Sequence, residues 1–316
     1  MIILCLSDGN NLYYPPTLGG LTWNTERKSS PGVCKFSIIP DGVPIQPGMI
    51  VQLQEDDKGI FYGFVFTYET SKSGIMNVTA YDQLRYFKNK DTYVYSGTAS
   101  NFLRLLAKDF HLNIGHVVDT RLVMSRVESD VELFDMINNA LDETTLVDGV
   151  LYVLYDEYGR LCLKTVDDLK TNILIEETSG EDYKYKVSID ENTYNKIKLT
   201  YDNEDAGTKD VYIAQDSSSI HQYGLLQYTE NIQNPNTTKV KVNKLLNLYN
   251  TPTSSLTLNN VFGDSRVRAG VSVIVPMNNV KDETIYHYML VETAKHTFDS
   301  GYHRMDLKLR GGNINA

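Results

Sequence analysis

The sequence predicts a mainly β protein with an α+β insertion and two related β-barrels in one chain. Three observations carry this. Alternation of apolar and polar residues, the period of a strand with one buried face, dominates both ends of the chain. The segment 270–309 has a fainter copy at 48–81. Between the copies, apolar residues fall at helical spacing instead. A repeat resets the fold expectation before any single element is read.

The repeat is anchored by two openings, Gly48-Met-Ile-Val-Gln-Leu53 and Gly270-Val-Ser-Val-Ile-Val275. Side chains of a strand alternate between faces, so Met49/Val271, Val51/Val273 and Leu53/Val275 take equivalent inward positions. Leu256 and Leu258 echo Phe36 and Ile38 ahead of the respective glycines. Ser73-Gly74 and Ser300-Gly301 are read as matching turns. The glycines lie 222 residues apart and the serines 227, which gives the second copy five more residues in its first loop, around 276–283.

Residues 1–95 read as the first barrel. Met1–Leu6 is an apolar strand stopped by Ser7-Asp-Gly-Asn10; it lacks the basic flank and the length of a signal peptide. Cys34–Ile39 alternates before the Pro40-Asp-Gly42 turn, and Pro44 and Pro47 hold the link to Gly48 extended.

Residues 96–170 change period and form the α+β insertion. Thr98 or Ser100 caps a helix with Phe102, Leu105, Leu106 and Phe110 on its apolar side. Ser129-Asp-Val-Glu132 matches a capping box, ahead of the stripe Leu133, Met136, Ile137, Ala140 and Leu141. Val150–Tyr155 and Arg160–Thr165 form a hairpin about Asp156-Glu-Tyr-Gly159.

Residues 171–235 are returning strands and connector. Ile197, Leu199 and Tyr201 alternate, Val211–Ile213 is their partner, and these strands are expected to complete the first barrel. Residues 236–316 hold a helix and the second barrel. Thr237 or Thr238 caps that helix, Val242, Leu245, Leu246 and Tyr249 share its apolar face, and it stops near Pro252.

Composition narrows the function classes. The 316 residues contain 41% hydrophobic and 22% charged residues, a globular balance. No run of 18 apolar residues occurs, so no membrane-spanning helix is expected. Cys5, Cys34 and Cys162 are odd in number and in no paired motif, which predicts reduced, buried thiols. The net charge is −10, and residues 127–210 carry 21 acidic against 8 basic side chains. That bias argues against DNA binding, which needs a basic face. The 22 tyrosines, beside 10 phenylalanines and one tryptophan, suit half-buried strands and subunit contacts equally.

The motifs of catalysis are missing. The sequence has no nucleophile elbow, no phosphate-cradling glycine loop and no H-E-x-x-H. His287, His296 and His303 lie on strands near one another, but without a ligand motif they are read as structural. Asp202–Gly207 departs from the calcium-loop pattern and is read as a surface loop. Asp167/Asp168, Glu176/Glu177, Glu181/Asp182 and Asp190/Glu191 are adjacent carboxylates, which on a strand point to opposite faces rather than across a cleft. Catalytic residues: none; cofactor-binding residues: none; metal ligands: none. The chain is expected not to be an enzyme.

Three stretches resemble the baseplate hub proteins of contractile phage tails, in particular hubs of prophage tails and of tail-like bacteriocins of Gram-positive bacteria. They are Val291–Leu309 (VETAKHTFDSGYHRMDLKL), Val78–Lys90 (VTAYDQLRYFKNK) and Thr98–Leu103 (TASNFL). The resemblance covers most of the chain, with 202–236 the least distinctive part. It implies two barrels of tail-tube type per chain and a homotrimeric ring of pseudo-sixfold symmetry. One face of such a ring joins the hexameric tail tube and the other holds the trimeric cell-puncturing spike. The insertion is the natural seat for baseplate wedge or adaptor proteins, and a tape measure protein is a further neighbour. DNA is at most non-sticking cargo, since acidic side chains lining the ring would repel phosphates. The expected location is a virion or tail-like particle, assembled in the bacterial host cytoplasm. Some hubs carry a lysozyme or peptidase domain, for which the chain up to Ala316 has no room. Two alternative classes stand beside the hub: a cell-wall or carbohydrate-binding module, and a tail-associated cell-wall hydrolase.

Overall fold

Alternating strands at both ends of the chain need a partner for each apolar face, and one large sheet with two cores supplies it. The computed structural model describes residues 1–176, 182–203, 207–232, 238–278 and 284–311. The first module holds β1 (Ile2–Ser7), β2 (Leu12–Tyr13), β3 (Thr17–Glu26), β4 (Val33–Ile38), β5 (Ile50–Glu55), β6 (Lys58–Thr70) and β7 (Met76–Tyr81). Its core is built from the inward residues of these strands, among them Leu6, Leu21, Trp23, Phe36, Val51, Leu53, Phe61 and Val78. The turn after β1 forms where predicted: the Asp8 carboxylate accepts the backbone N–H groups of Asn10 and Asn11 at 2.8 and 2.7 Å.

The insertion follows as β8 (Lys90–Thr98), α1 (Ala99–Asp109), β9 (Ile114–Val117), β10 (Val123–Glu132), α2 (Leu133–Asp148), β11 (Tyr152–Asp156) and β12 (Leu161–Thr165). Thr98 is the cap of α1 and accepts the Asn101 N–H at 3.2 Å. The stripe Leu133, Met136, Ile137, Ala140 and Leu141 is buried as predicted, but the capping box is not formed. Residues 129–132 instead end β10: Ser129 and Asp130, the latter at positive φ, form a bulge, and Val131 and Glu132 stay paired to β8. The β11–β12 hairpin is buried on both faces, which is why Tyr152–Tyr155 is apolar throughout. Tyr152 and Leu154 enter the insertion's core, and Val153 and Tyr155 enter that of the second module.

The chain continues through β13 (Lys170–Leu174), β14 (Asp182–Ser188), β15 (Lys196–Asn203), β16 (Thr208–Gln215), α3 (Ser217–Tyr223), β17 (Gln227–Asn231) and α4 (Thr238–Tyr249). β15 and β16 pair as expected, Thr200 opposite Val211, but they do not complete the first module. With β17 they form a separate three-stranded sheet. Ile197 and Leu199 pack there against Val242 and Leu245 of α4, so this segment satisfies its own apolar face. Of the two alternative caps for α4, Thr237 lies outside the described residues, as do residues 204–206 of the acidic loop. The second module is β18 (Thr253–Phe262), β19 (Ser272–Asn278), β20 (Thr284–Asp299) and β21 (Tyr302–Gly311), joined by β13 and β14.

The expectation of two closed β-barrels is corrected by the strand order. One sheet runs β14-β18-β21-β20-β3-β4-β7-β6-β5-β1-β2, with β19 and β13 branching at β20, and among the described residues no sheet closes on itself. Closure needs the first and last strands of a module to pair. In the first module the outer edge of β3 is instead taken by β20, and β1 ends in the short hairpin with β2. The second module ends at β14, whose one partner among the described residues is β18.

The repeat is real at the level of hydrogen bonds. Gly48 donates to Val65 O and Val65 to Met49 O, both at 2.8 Å; Gly270 donates to Val291 O at 2.8 Å and Val291 to Val271 O at 2.9 Å. Both glycines sit at positive φ, +88° and +92°, a region open to glycine at little cost. β6 and β20 then carry a bulge at the same place, after Val65 and after Val291. Two details of the sequence alignment shift. Leu256 and Leu258 correspond to Cys34 and Phe36, one strand period from the pair expected, because Cys34 faces Ala80 as Leu256 faces Leu309. The serine-glycine turns join equivalent strands but close hairpins of different length: the first ends at Thr70 opposite Met76, the second at Asp299 opposite Tyr302.

Candidate functional site

The chemistry of this chain lies in how strands meet, beginning with the seam where the two modules join. β20 is long enough to serve two partners along one edge. Its first half pairs with β19 up to Leu290, and Thr293–Phe298 then pair with Glu26–Leu21 of β3. The bulge between these stretches points Glu292 out of the ladder. Its carboxylate takes Arg27 Nε at 2.7 Å from the β3 side and Arg310 Nε at 3.0 Å from β21. The Arg27 N–H also donates to the Glu292 carbonyl at 3.0 Å.

Cross-strand rows run through the seam without a break. Ala80, Cys34, Trp23 and His296 form one, and Val78, Phe36, Leu21 and Phe298 another. Phe298, from the second module's strand, belongs to the first module's core. His296 is fully buried, with Nε2 2.7 Å from Val267 O and Nδ1 2.8 Å from His303 Nε2. Burial and the neighbouring His303 hold its pKa down to about 3. His303 is held down by burial too, opposed by Glu55, 3.5 Å from its Nδ1. Of the three strand histidines, His296 and His303 therefore converge, while His287 is exposed on β20 opposite Val275. Among the described residues no group of three or more His, Cys, Asp and Glu could hold a metal ion.

The insertion hairpin wedges into the same junction. Val153 lies against Gly270, and at the hairpin tip the Tyr158 hydroxyl accepts Gln54 Nε2 at 3.0 Å. A small cleft between the modules is lined by Trp23, Gly32, Asp82, Asp156 and Arg268. The Arg268 guanidinium, buried there, sits 3.3 Å from the centre of the Tyr155 ring. Asp82 accepts the N–H groups of Gly32 and Leu84 at 2.8 and 3.0 Å. Burial, reinforced by Asp156, pushes its pKa well above the carboxylate range, and burial pushes Asp156 up to about 7. Periodicity gave no sign of this pair; only the folded chain brings 82 to 156. The adjacent carboxylates noted in the sequence that the structure describes do not line this cleft. Asp168 caps its own turn with Thr165 at 2.7 Å, and Glu177 and Glu181 lie outside the described residues.

Two strand edges of the repeat stay open among the described residues. β14 corresponds to β3, since Tyr185 faces Leu256 as Trp23 faces Cys34. β6 corresponds to β20, yet past Val65 nothing among the described residues pairs with the edge that β3 occupies on β20. The three cysteines are buried and unbridged, as predicted.

An open sheet of two like modules interrupted by an α+β insertion is the fold of phage tail proteins. It matches the 43 kDa tail protein of prophage MuSo2 from Shewanella oneidensis (TM-score 0.69, 12% identity, 97% of this chain and 98% of that one). It also matches a tail protein of Neisseria meningitidis MC58 (0.72, 10%, 99% and 97%). The E. coli c3393 protein, described as a type VI secretion component with structural similarity to the T4 tail proteins gp27 and gp5, matches at 0.54 (10%, 97% and 75%).

The chain belongs to the YQBQ-like family, whose model matches residues 21–310. Relatives include the phage-like element PBSX protein XkdQ of Bacillus subtilis, 28% identical over 276 residues, 83% of this chain and 81% of XkdQ. YqbQ of the same organism is 29% identical over 272 residues, with the same shares. The protein thus has the fold of phage tail proteins and belongs to a family with a relative in a phage-like element. The solved structures that share its fold over nearly the whole chain are described as tail proteins.

Proposed function

We propose that this protein is the hub of a contractile-tail baseplate, a homotrimeric ring that joins the hexameric tail tube to the trimeric spike. The observation that carries the reading is the repeat: two modules with the same glycine hydrogen bonds and the same bulge, joined strand to strand within one chain. Three such chains present six like modules, which lets a threefold object meet a sixfold tube on one face and a threefold spike on the other. The insertion, together with the separate sheet of β15–β17, is the added surface for wedge or adaptor proteins. The tape measure protein and DNA, where the particle carries it, pass through the centre. The acidic bias of 127–210 suits a surface that does not retain nucleic acid.

The test is the mass of the purified chain by light scattering, with electron-microscope class averages, alone and co-expressed with the neighbouring tail proteins. A ring of three chains with six lobes and a central hole is the expected result. A monomer in both samples overturns the hub.

A further inference from the structure

We infer that the exposed edge of β14 pairs antiparallel with the exposed end of β6 in a second copy of this chain, in the register that β3 and β20 use within the chain. The inference rests on the ring reading above and adds the residues that close the ring.

The register follows from the repeat. Within the chain, Trp23 faces His296, Asn24 faces Lys295, Thr25 faces Ala294 and Glu26 faces Thr293. The common bulge makes Thr67 the equivalent of Thr293. The common pairing to β4 and β18 makes Tyr185 the equivalent of Trp23. Carried across, Tyr185 faces Thr70 of the other copy, Lys186 faces Glu69, Val187 faces Tyr68, and Ser188 faces Thr67.

Three observations support the match. The first is exposure. Trp23 and Ala294 in the seam are 5% and 1% exposed, whereas Tyr183, Tyr185, Val187 and Tyr68 are 50%, 43%, 57% and 41% exposed. Tyr185 ends an inward-facing row, Leu309–Leu256–Tyr185, with no next strand among the described residues to cover it. The second is chemistry: the transferred register sets Lys186 against Glu69 and β-branched Val187 against aromatic Tyr68, both favourable cross-strand pairs. The third is geometry. β14 and β6 stand at remote positions in the sheet order and do not pair with each other within the chain. A contact of one edge with a different edge is heterologous, the kind that builds closed rings.

The test is a cysteine pair, Tyr68→Cys with Val187→Cys, in the full-length chain co-expressed with its tail neighbours. The native cysteines are buried and add little background. Mild oxidation is expected to give chains linked to one another, ending at three on a non-reducing gel. The off-register pair Tyr68→Cys with Tyr183→Cys is expected to link weakly. Lys186→Glu alone is expected to weaken association roughly tenfold, and adding Glu69→Lys to restore it. If the wild-type chain forms a ring but the 68/187 pair links no better than the control, the register is wrong and the hub stands. If no ring forms in any sample, the hub reading fails and the register falls with it.

Discussion

His296 stacks on Trp23 across the seam between the modules, their ring centroids 4.7 Å apart and their planes inclined by 28°. One partner comes from each module, so the contact couples the two cores through side chains, alongside Phe298 and the Arg27–Glu292 ion pair. Replacing Trp23 with alanine is expected to cost about 3–5 kcal/mol, the usual range for a buried aromatic that leaves a cavity. The loss is read as a lowered urea midpoint. Phe298, which crosses the same seam into the first core, is expected to behave alike.

The same histidine makes the seam sensitive to acid. Its pKa is about 3 in the folded chain against 6.5 for a free imidazole, so folding stability from this site is fully present above 6.5 and is lost as pH falls toward 3. Between pH 7 and pH 5 the loss from His296 is about 2 kcal/mol. His303, Glu55 and Asp264 face the pair, and His303 adds a loss of the same sign. His296→Gln is expected to flatten most of that slope in urea titrations at pH 5, 6 and 7. An unchanged slope would place the acid sensitivity elsewhere.

How much of this was legible in the sequence depends on how local the cause is. Alternation placed the strands of both modules, and helical spacing placed α1, α2 and α4, because which face is buried is written in consecutive residues. Ser129–Glu132 failed because the pairing of β10 with β8, a tertiary contact, overrode a good local cap. Barrel closure failed for a related reason: the outer edge of β3 is claimed by β20, more than 250 residues later, and no periodicity records that choice. The Asp82–Asp156–Arg268 cluster was invisible on the same grounds. Histidines 296 and 303 stood out in the sequence, but only their burial shows them to be seam residues.

Asp156 titrates in the opposite sense to His296. Burial raises its folded-state pKa to about 7 from 3.8, so its contribution to stability is fully present below 3.8 and is lost as pH rises through 7. Asp156→Asn retains an oxygen for the Gly159 N–H, which Asp156 Oδ1 accepts at 2.7 Å, and removes the titration. The variant is expected to gain about 1–3 kcal/mol on wild type between pH 5 and pH 8. The comparison is made from urea midpoints at the two pH values, where the histidine terms cancel between wild type and variant. A constant difference would show that the carboxyl stays in one state throughout.

The paired glycines allow the two halves of the repeat to be compared directly. Gly48 and Gly270 share their φ and their hydrogen bonds, but not their surroundings. A Cβ on Gly48 meets nothing within 4 Å, whereas one on Gly270 would lie 2.3 Å from Val153 Cγ1 of the insertion hairpin. Gly48→Ala is therefore expected to cost only the backbone term, about 1–2 kcal/mol for a left-handed L-residue. Gly270→Ala adds an overlap worth roughly 1–3 kcal/mol, because the hairpin must shift away from the second core. Trimming the hairpin with Val153→Ala in the Gly270→Ala background is expected to recover part of that excess, while the same trim beside Gly48→Ala recovers nothing. Denaturant midpoints of the four variants measure the coupling, and equal costs at the two glycines would mean that the hairpin does not press on the second module.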